Sequence, residues 1–213
     1  MNDPRLHLYV DAQYLSPYAM SVFVALREKG LDFEMMPVDL ESGKQTAPDY
    51  ARLSLTRRVP TLVHEGFSLS ESSAITEYLE ERFPETPVYP RDVHQRAKAR
   101  EVQAWLRSDL AALRQERSTL VVFYGQKSPA LTPAGNASVQ KLTQSALSLL
   151  ADGREYLFGE WSIADVDLAL MLNRLVLNGD DLPPPLVQYA QRQWQRPSVQ
   201  AWLNVPRLPL QGQ

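Results

Sequence analysis

Arg57-Arg58-Val59-Pro60-Thr61-Leu62, followed by Glu71-Ser72-Ser73-Ala74-Ile75, is the stretch whose reading decides the fold. The first part reads as a loop that enters a strand through a proline, a position where a strand tolerates the missing N–H. The second reads as an acidic, hydroxyl-bearing entrance to a helix. Between them, residues 61–70 are short enough to be a tight hairpin. Runs 61–64 and 67–69 flank Glu65-Gly66, where glycine supplies positive φ. Such a unit offers a peptide-like ligand two things: an unpaired strand edge and a helix N-terminus.

Upstream, residues 6–10 form a short apolar run ending at Asp11, a predicted strand. Ser16-Pro17 then opens a helix, serine as N-cap and proline as first helical residue. Val22, Phe23 and Leu26 lie along it, and Lys29-Gly30 stops it with a cation and a glycine. Residues 33–40 read as a second strand. A strand, a helix and a strand in this order form a βαβ unit, so the two strands are expected to be parallel. Residues 41–55 are loop plus a weak helix near Pro48. In the helix predicted over 72–83, Ile75, Tyr78, Leu79 and Phe83 share one side, and Glu77, Glu80 and Glu81 the other.

The pattern changes at Pro84-Glu85-Thr86-Pro87-Val88-Tyr89-Pro90, where three prolines in seven residues cannot continue a helix. Beyond it every strong pattern is helical. Val102, Trp105, Leu106, Leu110 and Leu113 mark one long amphipathic helix within 100–117, and Val139, Leu142, Ala146 and Leu149 mark another. Trp161-Ser162-Ile163-Ala164-Asp165-Val166 has the layout of a capping box, Ser162 as N-cap and Asp165 three residues on, with Trp161 and Val166 placed for a hydrophobic staple. The following helix, to Leu177, is apolar almost all round, as a helix buried on every side must be. Runs 183–194 and 197–203 complete the helical set. The expected division is an α/β domain over 1–83, a linker over 84–91 and an all-α domain over 92–213.

Composition narrows the function classes. A net charge of −3, with no face concentrating Lys and Arg, speaks against a nucleic-acid partner. The longest apolar segment, 166–177, is too short to span a bilayer and contains Asp167 and Arg174, so no membrane association is expected. Met1-Asn2-Asp3-Pro4-Arg5 opens no apolar run, so no signal peptide is expected. His7, His64 and His94 lie far apart without ligand spacing, so no metal is expected. The chain has no cysteine, which excludes disulfide stapling and a cysteine nucleophile.

The order and spacing of these motifs resemble the glutathione transferases: a thioredoxin-like βαβ–ββα domain followed by an all-α helical domain. Ser16-Pro17-Tyr18, Arg57-Arg58-Val59-Pro60 and Trp105-Leu106-Arg107-Ser108-Asp109 resemble in particular a bacterial serine-type branch, close to an enterobacterial member. The resemblance implies a cytoplasmic homodimeric enzyme of detoxification. It would use glutathione as co-substrate and join its thiolate to a small electrophile. Glutathione-dependent peroxidase, dehalogenase or isomerase chemistry falls within the same class. The rival is a non-enzymatic binding or regulatory protein on the same fold, against which the intact motifs argue.

Ser16 serves as a helix cap on the residues alone. The family uses Ser, Cys or Tyr near this place to stabilise the glutathione thiolate, and Ser16 matches the serine version. A free thiol has a pKa near about 8.5, and a helix N-terminus carries roughly half a positive charge. A hydrogen bond to a charged group contributes about 1.5–3 kcal/mol, or roughly one to two pKa units. Tyr9, Tyr14 and Tyr18 are rival phenolic donors, although Tyr9, within the first strand, reads first as a half-buried sheet aromatic and Tyr18, after the Ser-Pro pair, as a residue that shapes the pocket. In the family the Val-Pro bond is cis, and the backbone of Val59 before Pro60 would pair with the cysteinyl backbone of glutathione. Glu71 would take the γ-glutamyl amino group, and Ser72 with the helix N–H groups its carboxylate. Lys44 and Arg58 are candidates for the glycyl carboxylate, with solvated loop charges as the alternative. The electrophile is expected against Tyr14, Tyr18 and the helix within 100–117, with Tyr124 as a further candidate. Without cysteine, a protein–glutathione mixed disulfide cannot form, which disfavours thioltransferase chemistry.

Overall fold

In the computed structural model, residues 6–210 are described. They form two compact units: the chain up to Thr86 together with the segment from Gln200 onward, and Pro87–Val199.

The first unit contains β1 (Leu6–Asp11), α1 (Pro17–Glu28), β2 (Glu34–Val38), a single 3-10 turn (Lys44–Thr46), α2 (Pro48–Leu53), β3 (Thr61–His64), β4 (Phe67–Ser70) and α3 (Ser72–Arg82). The strands lie in the order β2-β1-β3-β4. β1 and β2 are parallel, as the βαβ reading requires, with His7 opposite Glu34 and Asp11 opposite Val38. β3 runs antiparallel to β1, with Tyr9 opposite Thr61, and β4 antiparallel to β3, with Thr61 opposite Ser70. Glu65 and Gly66 both take positive φ, 50° and 84°, the conformation that matches strand twist in a two-residue turn. β2 is shorter than the sequence predicts. The Asp39 carboxylate accepts from the Ser42 N–H at 3.1 Å and its carbonyl from the Lys44 N–H at 3.1 Å, so the chain turns there.

Leu6, Leu8 and Val10 alternate inward from β1 and are buried with Val22, Phe23 and Leu26 of α1 and Ile75 and Leu79 of α3. Helical spacing assigns Glu80 to the polar side of α3, but it is buried. The equally buried Lys29 reaches it, Nζ to Oε2 at 2.7 Å, and also donates to the carbonyls of Phe83 and Thr86 at 2.9 and 2.8 Å. Spacing reports which side a residue occupies and not whether a cation waits there.

The second unit contains α4 (Val93–Ser108), α5 (Ala111–Glu116), α6 (Thr119–Tyr124), α7 (Pro133–Leu149), α8 (Ile163–Val176) and α9 (Pro184–Trp194); α10 (Pro197–Leu203) crosses from this unit into the C-terminal segment of the first. The one long helix expected over 100–117 is two. Leu110 takes φ 59°, ψ 31° and ends the first. Asp109 stabilises the break by accepting from the Leu110 N–H at 2.7 Å and pairing with Lys141, while Arg114 donates to the Leu106, Arg107 and Asp109 carbonyls at 2.8, 2.8 and 2.6 Å. Leu110 and Leu113 are both buried, so the apolar spacing runs on through the break and hides it.

The capping box of α8 is present. The fully buried Asp165 carboxylate accepts from the Ser162 N–H at 2.8 Å and its hydroxyl at 3.0 Å, from the Leu157 N–H at 2.8 Å and from the Tyr189 hydroxyl at 2.8 Å. Burial pushes its pKa up, and these four donors oppose that by favouring the ionised form.

Candidate functional site

Register alone gathers the candidate residues of the first unit. The C-terminal ends of β1, β2 and β4 and the N-terminal end of β3 share one end of the sheet. Loop 12–16 therefore emerges beside the turn carrying Lys44, the Arg58-Val59-Pro60 approach to β3, and the Glu71-Ser72 entrance to α3. With neighbouring strands about 4.8 Å apart, the step from β1 to β4 is roughly 10 Å, the scale of an extended tripeptide of about 3.3 Å per residue.

Ser16 is the N-cap of α1, and its Oγ accepts from the Ala19 N–H at 3.1 Å. That bond uses a lone pair. The hydroxyl proton is a separate resource, and no bond among the described residues takes it, so capping leaves a donor at the helix start. The loop is fixed from beneath by a residue whose role the sequence did not suggest. The buried Asp11 carboxylate accepts from the N–H of Leu15 at 2.5 Å and of Ser16 at 2.9 Å, and the Asp11 carbonyl from the N–H of Tyr14 at 2.9 Å. Tyr14 takes φ 55°. Tyr14 and Tyr18 are half-buried, as is Tyr9, whose ring meets Tyr50 edge-on at 5.7 Å.

The Val59–Pro60 peptide is cis. Its loop hangs on hydroxyls. The Arg58 carbonyl accepts from Tyr50 Oη at 2.8 Å, Thr61 Oγ1 at 3.1 Å and Ser54 Oγ at 3.2 Å, and Tyr50 Oη also lies 3.1 Å from Thr61 Oγ1. All three are buried, and burial pushes the Tyr50 phenol up, keeping it a donor. Among the described residues, none engages the Val59 N–H or C=O. The side chains of Lys44 and Arg58 are exposed.

Glu71 has φ 75°, ψ 117°, a conformation costly for any residue with a Cβ, and its side chain does not cap α3. Its carbonyl accepts from the Ile75 N–H at 2.9 Å, while Ser72 opens the helix and is buried. An exposed carboxylate held in strained backbone at a helix start follows from the hairpin leading straight into α3. Tyr124 ends α6 in the second unit and is half-buried. Among the described residues there is no group of three or more His, Asp or Glu placed to hold a metal, and no helix long and apolar enough to cross a membrane.

Residues 12–87 match the family model described as glutathione S-transferase, N-terminal domain, and residues 92–207 that described as glutathione S-transferase, C-terminal domain. The chain belongs to the glutathione S-transferase family. It is 49% identical to a glutathione transferase homolog from Burkholderia gl BGR1 with bound glutathione, with a TM-score of 0.78 over 93% of this chain and 96% of that one. It is 41% identical over 96 residues to a zeta-class glutathione S-transferase of Euphorbia esula, covering 45% of this chain. That match spans 42% of the Euphorbia protein, less than half its length. Over 174 residues it is 32% identical to maleylacetoacetate isomerase of Rattus norvegicus, 78% of this chain and 75% of that protein. In this glutathione S-transferase fold, the elements unread in the sequence are Asp11, Tyr50 and Ser54. Each acts on backbone four to eight residues further along the chain, outside any helical or strand repeat. An aspartate closing the first strand just before a Ser-Pro pair was the one available signal.

Proposed function

We propose that this chain is a glutathione transferase that binds glutathione at the loop end of the first unit's sheet and uses it on small electrophiles. Val59 offers a backbone N–H and C=O to the cysteinyl unit. Ser72 and the first turn of α3 receive the γ-glutamyl carboxylate, and Glu71 its amino group. Lys44 and Arg58 supply cations for the glycyl carboxylate. The observation that carries the reading is the unspent hydroxyl proton of Ser16 at the start of α1, on the same sheet end as these groups. Donated to sulfur, it favours the thiolate, and the thiol proton passes to solvent. The thiolate then attacks an electrophilic carbon. A sulfur–carbon bond forms as the bond to the leaving group breaks, and that group departs with the electron pair. Positioning and thiolate stabilisation supply the acceleration. The electrophile contacts within the first unit are assigned to Tyr14 and Tyr18, and the chain is expected to act in the cytoplasm as a homodimer.

The similarity to maleylacetoacetate isomerase favours a second reading. The thiolate would add to a carbon–carbon double bond and be expelled after rotation, leaving glutathione unconsumed. Retention on immobilised glutathione, then turnover of a generic aryl halide and of a cis-alkenyl diacid, tests both. Thioether formation with matched loss of thiol supports transfer, and geometric change without thiol loss supports isomerisation. Retention without turnover across a panel of electrophiles points to a non-enzymatic binding protein. Sedimentation near twice the 24.1 kDa chain mass supports the dimer.

A further inference from the structure

The C-terminal segment reaches back to the loop that carries Ser16. Arg207 lies beyond α10, and its guanidinium gathers four carbonyls. It donates to Leu203 at 2.8 Å, to Val205 and Trp202 at 3.1 Å each, and to Tyr14 through Nη2 at 3.3 Å and Nε at 3.4 Å. The first three close the C-terminal end of α10, where a cation and extra donors are favoured. The fourth belongs to the 12–16 loop, 193 residues earlier in the chain. Trp202 follows the same path. It is fully buried, and its ring meets Tyr14 at 5.9 Å and Phe23 of α1 at 5.2 Å.

Tyr14 is a residue that needs such a hold. Its φ of 55° is uncommon for a residue with a Cβ, and a loop containing it relaxes unless its surroundings fix it. Asp11 fixes the loop on one side, through the N–H groups of Leu15 and Ser16. Arg207 fixes it on the other, through the Tyr14 carbonyl. Only a planar fork with five donors can serve four carbonyls from one side chain; an ammonium has three donors at one point.

We propose that Arg207 is a positioning residue for Ser16: the C-terminal segment sets the loop so that the Ser16 hydroxyl points at the glutathione sulfur. The proposal rests on Ser16 being the thiolate donor. Hydrogen bonds weaken steeply with misalignment, so loosening the loop forfeits part of the thiol pKa depression while glutathione still binds.

The test is a double-mutant cycle on the full chain, read by ultraviolet titration of the bound glutathione thiol in wild type, Arg207→Ala, Ser16→Ala and the double variant. Arg207→Ala is expected to raise the bound thiol pKa by roughly half to one unit and to lower kcat near neutral pH more than it raises KM. In the Ser16→Ala background the same change is expected to have no further effect on the thiol, because its action passes through Ser16. If Arg207→Ala does not fold, Arg207→Lys keeps the stem and charge but not the fork, and is expected to show the same dependence on Ser16. A thiol curve unmoved by either Arg207 variant while Ser16→Ala moves it overturns this inference alone. An equal shift with and without Ser16 also overturns it, assigning Arg207 a direct field effect. A thiol unmoved by Ser16→Ala itself removes the functional reading, and this inference with it.

Discussion

The buried carboxylate of Asp11 accepts the backbone N–H of Ser16 at 2.9 Å, five residues along the chain. One group at the end of β1 thus places the residue on which the proposed chemistry depends. Because the same carboxylate also holds the Leu15 N–H, Asp11→Ala would leave two part-buried donors without their acceptor, each costing up to the penalty of a buried one. An orphaned buried donor costs about 1–3 kcal/mol, so urea unfolding of Asp11→Ala is expected to show a loss of that order. Asp11→Asn keeps one oxygen and is expected to lie between. A variant as stable as wild type would mean the loop holds itself.

Glu71 supports a comparison that separates backbone strain from ligand contact. At φ 75°, ψ 117°, glycine fits where other residues are strained. Glu71→Gly is expected to be more stable than Glu71→Ala by about 1 kcal/mol or more, although glycine is ordinarily the costlier residue to order. Both variants are expected to bind glutathione at least tenfold more weakly by calorimetry, the loss of a charge-assisted contact of about 1.5–3 kcal/mol. Unchanged affinity removes Glu71 from the site, and equal stability removes the strain.

In the second unit, Arg117 grips Asp180 with two bonds of 2.6 Å, joined by Asn178 at 3.0 Å. Burial opposes ionisation of Asp180, but the Arg117 and Asn178 hydrogen bonds prevail and hold its pKa below the ordinary carboxylate range. A lowered folded pKa gives stability that is fully present above the unfolded value, about 3.9, and is lost as pH falls through the folded value. Asp180→Ala leaves the buried Arg117 unpaired and is expected to cost about 3–5 kcal/mol at pH 7. In denaturant melts the gap between wild type and variant is expected to narrow as pH falls below about 4. A gap of constant size down to pH 2 would show that the ion pair does not supply it.

What could be read from the sequence was what is written locally. Ser16-Pro17, Glu65-Gly66 and Ser162 to Asp165 are caps and turns whose chemistry lies within a few residues, and the βαβ order fixed the parallel pair. The clustering of Ser16, Val59 and Glu71 at one sheet end followed from strand order. The supports of that site were not readable. Tyr50 and Ser54 act on the Arg58 carbonyl from α2 and its end, and Arg207 acts on Tyr14 from the far end of the chain. Side-chain bonds to loop backbone, whether four or 193 residues away, leave no periodic trace. The burial of Glu80 against Lys29 and the break at Leu110 were hidden for a related reason: helical spacing is blind to both an incoming cation and a change of axis.

The most direct test of the account is the titration of the glutathione thiol bound to wild type and to Ser16→Ala, followed by thiolate absorbance. Melting of the two apo-proteins, where loss of the cap accounts for about 1 kcal/mol, separates the capping role from the donor role. The account predicts a wild-type bound thiol titrating roughly one to two units below the free value of about 8.5, and a return most of the way to it in Ser16→Ala. Superimposable titration curves for the two proteins would contradict it and leave Ser16 a helix cap.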